Sequence, residues 1–191
     1  MRAAVGLVVH TGHAAGIVLA GAADAPEVIA RVTVDMADDP ERFVFHRVAE
    51  GQRAEAEAAV AGARSAAIER AGRALDELLA RLCAEGHPLA VCAVVAKATA
   101  PRASLDAILA SHPRIHAAEA IFFRDVLVDA ATARGLATSV IALRDLLPRA
   151  ARAIGIPVDG VPNLLAALGK RAGRPWTRDQ KDSALAAWTA L

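Results

Sequence analysis

Four polar groups punctuate a sequence that is otherwise 55% hydrophobic. His10 and His13 flank Thr11-Gly12, Lys97 closes an apolar run, His112 precedes His116 and Glu119, and Asp182 lies near the C-terminus. Histidine titrates near neutrality and serves as acid, base or metal ligand, while lysine draws anions and carboxylates move protons or hold cations. His10, Lys97, Glu119 and Asp182 therefore form a set able to perform acid–base work. His13, His112 and His116 are the groups available to hold a substrate. His112 stands just before a helix, where free backbone N–H groups favour an anion. The His112-x3-His116 spacing also suits zinc, with Glu119 or His10 as a third ligand, but Pro113 between the two histidines is expected to break the helix. Each group has a structural alternative: His10 as a strand-end cap, Lys97 as a solvated cation, and His116 with Glu119 as an exposed i, i+3 helical pair.

Other chemistry-bearing motifs are missing. Gly6, Gly12 and Gly16 match neither the dinucleotide nor the P-loop glycine spacing, and no Gly-x-Ser-x-Gly elbow occurs. Lys170, Arg171, Arg174, Arg178 and Lys181 form a basic stretch able to contact phosphates or simply to end helices in solvent. Trp176 alone accompanies them, and the chain has no tyrosine, so base stacking is poorly provided for.

The elements that must position these groups follow from periodicity. Val5–Leu19 reads as two apolar strands joined at the histidine-bearing turn, a hairpin. Gly21–Pro26 is a turn, and Val28–Asp35 is β-branched enough for a third, antiparallel strand. Phe43–Val48, carrying His46, reads as a short extended piece, although periodicity does not decide it. From Ala54 to Glu85 the heavier residues Val60, Ile68, Leu75, Leu78, Leu79 and Leu82 recur at helical spacing, and Gly86 is placed to stop that helix. Leu89–Ala96 is almost uninterruptedly apolar, as in a strand covered on both faces. Ser104 reads as an N-cap for Leu105–Ala110, a helix follows from Arg114 to Arg134, and Thr138–Leu143 is a short strand. Helical pieces complete the chain, the last starting near Thr177.

At 191 residues the chain suits one domain, spanning 1–191, with a core that needs no staples. Cys83 and Cys92 lie in apolar contexts and read as two buried free thiols of a cytoplasmic protein. No apolar run is long enough to span a membrane, and no secretory signal opens the chain. Net charge is +1, yet residues 1–96 hold 9 Lys/Arg against 13 Asp/Glu while residues 97–191 hold 13 against 8. A basic second half is able to face a phosphate backbone.

Three meandering strands followed by alternating helices and strands make an α/β fold: a mixed sheet with helices on both faces. This order resembles the ribonuclease H-like fold, and most nearly its Holliday-junction resolvase branch. Gly6-Leu7-Val8-Val9-His10-Thr11-Gly12 is similar to the first strand and turn of those proteins, where a strand ends in Asp-x-Gly. Lys181-Asp182-Ser183-Ala184-Leu185-Ala186-Ala187 is similar to their last helix, where an Asp precedes a run of small residues. The resemblance implies a nuclease holding two divalent cations, Mg²⁺ or Mn²⁺, on carboxylates of the first strand, the buried fourth strand and the last helix. The chain departs from that pattern at two places: His10 stands at the first-strand position, and Lys97 ends the fourth strand with no acid from Leu89 to Thr99. Only Asp182 matches.

The resemblance thus implies a nucleic-acid-associated protein, either a diverged nuclease using Asp182 and Glu119 with histidines or a binding member without cleavage. A small-molecule or phosphate-ester enzyme using His10, Lys97 and His116 is the alternative. A non-catalytic homo-oligomeric scaffold built on Ala-rich helices is a third. All three rest on one spatial expectation, that His10, Lys97 and Asp182 meet in a single hollow.

Overall fold

The structure is a computed structural model and describes residues 2–51, 55–97 and 103–191. The hairpin strands β1 (Ala3–His10) and β2 (His13–Ala22) pair antiparallel, so that only Thr11-Gly12 separates them and His10 faces His13 across the turn. β3 (Ala25–Asp35) adds antiparallel to β2, and β4 (Leu89–Ala96) and β5 (Ala137–Ala142) add parallel on the other side of β1. The sheet order is β3-β2-β1-β4-β5, which puts β1 and β4 at the centre. Their C-terminal ends adjoin because they run parallel in register, Val8 opposite Val95. This is the mixed α/β sheet expected from the sequence.

Alternation along β1 sorts its side chains between two cores. Ala3, Val5, Leu7 and Val9 face a layer made by α1 (Val44–Glu50), α2 (Ala56–Ala84), α3 (Leu105–Leu109) and α4 (His112–Thr132). Ala4 and Val8 face α5 (Leu143–Ile154), α6 (Val161–Ala172) and α7 (Arg178–Trp188). In α2 the fully buried stripe is Ala67, Ala71, Leu75, Leu78 and Leu82, with Val60, Ile68 and Leu79 packed at its margin. The expected start at Ala54 lies outside the described residues.

Three local expectations change. Phe43–Val48 is not extended: Val44–Glu50 is helical, with Val44, Phe45 and Val48 turned into the core, since six residues carry too little periodicity to separate strand from helix. Pro113 does not break the segment between His112 and His116. It sits in the first turn of α4, where its missing N–H has no intrahelical partner to lose. Of the two cysteines only Cys92 is buried, its thiol pushed up to about 12 by desolvation, whereas Cys83 is exposed beside the buried Leu82.

Candidate functional site

Two glycines decide how the strand ends and the last helix come together. A Cβ at Gly6 would lie 1.9 Å from the Ser183 carbonyl oxygen and 2.6 Å from the Ala187 nitrogen, so α7 lies directly on the backbone of β1. The run Ser183-Ala184-Leu185-Ala186-Ala187 is small on that side for the same reason, and the Ser183 hydroxyl donates to the Ala15 carbonyl at 2.9 Å. Gly12 has φ of +85°, as the tight hairpin turn requires, and its carbonyl accepts from the Met36 and Ala37 N–H groups at 2.8 and 3.0 Å. The turn is thereby anchored to the end of β3. At the start of α7 a capping box ties the Thr177 and Gln180 side chains to each other's backbone N–H groups, which sets the direction of the first turn.

That first turn delivers Asp179 to the end of β1. His10 Nε2–H donates to Asp179 Oδ2 at 3.0 Å, leaving Nδ1 to accept from Lys97. Lys97 Nζ stands 3.4 Å from both ring nitrogens of His10 and 3.8 Å from Asp179 Oδ1. His13 stacks on His10 with ring centroids 5.0 Å apart and planes 7° from parallel. Burial lowers the pKa of His10, the Lys97 charge lowers it further, and the attraction of Asp179 does not offset the two. The neutral imidazole is therefore the favoured form near neutrality. Asp182 follows one turn after Asp179, within 3.8 Å of the Arg178 Nε, and burial raises its carboxyl pKa while Asp179 repels its charge.

Of the three residues expected to meet at the strand ends, His10 and Lys97 stand in contact and line one hollow, while Asp182 touches neither and does not line it. Asp182 feels the Lys97 charge, but the carboxylate in contact with His10 is Asp179. Sequence reasoning missed Asp179. The available signal was its i, i+3 relation to Asp182 in the first turn after Thr177, which puts both acids on one face of α7. A hollow of about 180 Å³ opens beside Lys97, lined by Val9, His10, Thr11 and, from α4, Ala120 and Arg124. A larger one, about 710 Å³, lies elsewhere, between α1, α2 and the end of β3.

Glu119 does not join the first group. Expected as part of an exposed pair or of the strand-end crevice, it is 1% exposed, and its Oε1 accepts from His46 Nδ1–H at 2.8 Å. Helical periodicity accounts for this: Ile115, Glu119, Phe122 and Val126 share the buried face of α4. His112 and His116 are at the same place as His46, and their ring centroids lie 4.4 to 5.2 Å apart. Substrate-holding residues expected at one site are therefore split, His13 with His10 and the other two with His46.

The two-metal arrangement implied by the resemblance requires several carboxylates around one point. The donors here do not fit it. The first-strand position carries an imidazole, the fourth strand ends in an ammonium that already contacts Asp179, and among the described residues the carboxylates at this point come from α7. A lysine held at that distance repels a divalent cation.

No family model matches the sequence, and neither does any curated protein. Solved structures do match. The RuvC structure from Thermus thermophilus superposes with a TM-score of 0.53 at 12% identity, covering 98% of this chain and 92% of that one. RuvC of T. thermophilus in complex with its Holliday junction substrate gives a TM-score of 0.53 at 13% identity, covering 99% and 92%. The likeness runs over nearly the whole of both chains, and the chain has the ribonuclease H-like fold.

Proposed function

We propose that this chain binds nucleic acid where β1, β4 and α7 meet, and that it does so without two-metal cleavage. The observation that carries the reading is Lys97, whose ammonium stands against His10 and Asp179 where a nuclease of this fold needs a cation. A fixed positive charge there neutralises a phosphate as a metal would but cannot activate water. The fold likeness supports the partner class, since one of the similar structures is described as bound to a Holliday junction. The size of the hollow supports it too: about 180 Å³ accommodates a phosphate group but falls below the ~300–1,000 Å³ of sites that enclose a metabolite. The scaffold alternative finds less support. Among the described residues the exposed large apolar side chains are Val140, Val158, Leu164 and Leu191, on four different segments rather than one element. The same reading takes residues 1–191 as one domain acting in the cytoplasm, where nucleic acid is accessible and free thiols persist.

The test is an anisotropy titration of four-way junction, RNA–DNA hybrid and single-stranded DNA across a salt series, beside a cleavage assay with Mg²⁺ and Mn²⁺. Binding should fall linearly in log–log salt, and Lys97→Ala should reduce the slope by about 0.7–0.9, the value of one phosphate contact. Cleavage should be undetectable in the wild type and in Asp182→Asn alike. Metal-dependent cleavage that Asp182→Asn abolishes would restore the nuclease reading, and salt-independent binding would remove the phosphate contact.

A further inference from the structure

The second polar cluster is built like a metal site. His46 on α1 and His112 and His116 on α4 each present a ring nitrogen, and the three nitrogens lie within 4.8 Å of one another. His112 and His116 are one helical turn apart, the spacing by which a helix offers two imidazoles to one ion. His46 enters from a different element, held by its hydrogen bond to Glu119.

From this arrangement we propose that His46, His112 and His116 bind a single borderline first-row divalent cation, Zn²⁺ being the physiological choice. Three observations carry the proposal. The first is convergence: three imidazoles make a donor set that suits zinc and disfavours Mg²⁺, which takes oxygen ligands. The second is Glu119. A carboxylate 1% exposed that accepts from the Nδ1–H of His46 fixes the tautomer, so that Nε2 is the lone-pair nitrogen. A carboxylate backing a histidine in this way raises its basicity and orients it toward a metal. The third is the difference in exposure: His46 is half-buried and held by Glu119, whereas His112 and His116 are exposed, with no hydrogen bond of their own among the described residues to oppose a change of rotamer. A tetrahedral zinc with Zn–N bonds of ~2.0–2.1 Å brings its nitrogens to about 3.4 Å, so the rings close by roughly an ångström through side-chain rotation alone.

The occupant is a cation rather than an anion because of the same carboxylate. The start of α4 would otherwise favour a phosphate, and its dipole opposes a metal. The charge of Glu119 opposes the phosphate and offsets that dipole. Three protein ligands leave the fourth position, and with His112 and His116 exposed that position faces solvent. It is open to water or to an anionic group, unlike a closed structural site. Bound metal would also tie α1 to α4.

The experiment uses tag-free full-length protein freed of metal by chelator. Zn²⁺ is titrated by calorimetry against a competing chelator, and Co²⁺ by its visible d–d absorption. The expected result is one site per chain that millimolar Mg²⁺ does not displace, with the cobalt spectrum of a nitrogen-rich, four- or five-coordinate ion. His112→Ala and His116→Ala replace exposed helical residues and should leave the circular dichroism unchanged while weakening zinc at least a hundredfold. Glu119→Gln should weaken it about 10–100-fold. His10→Ala and Cys83→Ser should leave it as it is. Zinc at a hundred times Kd should raise Tm by roughly 5–10 °C in the wild type and not in His116→Ala. Zinc uptake that survives His112→Ala and His116→Ala, loss of uptake in Cys83→Ser, or binding of inorganic phosphate in place of zinc would each overturn the proposal.

Discussion

Gly6→Ala probes the contact that assembles the strand-end site. The added Cβ would stand 1.9 Å from the Ser183 carbonyl oxygen, 2.6 Å from the Ala187 nitrogen and 2.9 Å from the Ser183 carbonyl carbon, all backbone atoms of α7. Reaching an ordinary contact of about 3.4 Å requires α7 to withdraw by roughly 1.5 Å, because neither a β-strand at the centre of a sheet nor a helix backbone rotates aside. A gap of even 0.5–1 Å already forfeits a quarter to a half of the dispersion energy of the atoms lining it. The side chains concerned are Ala184, Leu185, Ala186, Ala187 and Trp188, none more than 4% exposed. The cost should therefore reach or exceed the top of the ~1–3 kcal/mol range for overpacking. For a chain of this size that corresponds to a Tm lower by at least about 6 °C. The paired control is Gly62→Ala within α2, where a Cβ would meet nothing within 4 Å. There alanine should stabilise the helix by about 0.5–1 kcal/mol. Urea and thermal unfolding of the two variants should thus shift in opposite directions. A Gly6→Ala protein melting within about 2 °C of the wild type would refute the close approach of α7 to β1, and with it the placement of Asp179 at His10.

Further outcomes follow from the same geometry. By NMR, His10 should titrate below its ordinary range; Lys97→Gln should raise its pKa by removing a repulsive charge, and Asp179→Asn should lower it by removing an attractive one. An unchanged His10 titration in both variants would contradict the observed contacts. Because the folded-state pKa of His10 is depressed, its contribution to stability is complete above the ordinary value of 6.5 and is lost as pH falls through the folded value. Asp182 runs the other way. Its folded pKa is raised above 3.8, so the protonated form is favoured in the fold and its contribution is lost as pH rises through the folded value. Asp182→Asn should accordingly gain stability relative to the wild type as pH rises through that window, measured by urea unfolding at several pH values; a constant difference would show that Asp182 is not desolvated. Thr177→Ala, which removes the side-chain cap of α7, should cost about 1 kcal/mol, read as a shift in urea midpoint at unchanged m-value.

The order of elements was legible in the sequence because hydrophobic periodicity is local. β4 stands where the apolar run Leu89–Ala96 lies, and the Thr177 cap begins α7. The spacing of the leucines in α2 was enough to identify one buried face. Where the window was short the pattern failed, as at Val44–Glu50, whose helix depends on burying Val44, Phe45 and Val48 against α2 and α4. The nearness of His10 and Lys97 was also within reach, since parallel neighbours bring their C-terminal ends together.

Which acid touches His10, and which histidine completes the second cluster, depended on packing. Asp179 and Asp182 are equivalent by residue type and lie one turn apart on one face, and the way α7 is seated on β1 at Gly6 brings Asp179 rather than Asp182 to His10. His46 is separated from Glu119 by 73 residues, and no local pattern relates them; the contact exists because α1 and α4 pack on the same face of the sheet. The amino-acid sequence by itself determined the strands, the helices and the departures at His10 and Lys97, since these reside in residue type and short-range spacing. The tertiary structure decided which side chains converge, because convergence depends on the rotation and depth of whole elements, and those are set by contacts far apart in the chain.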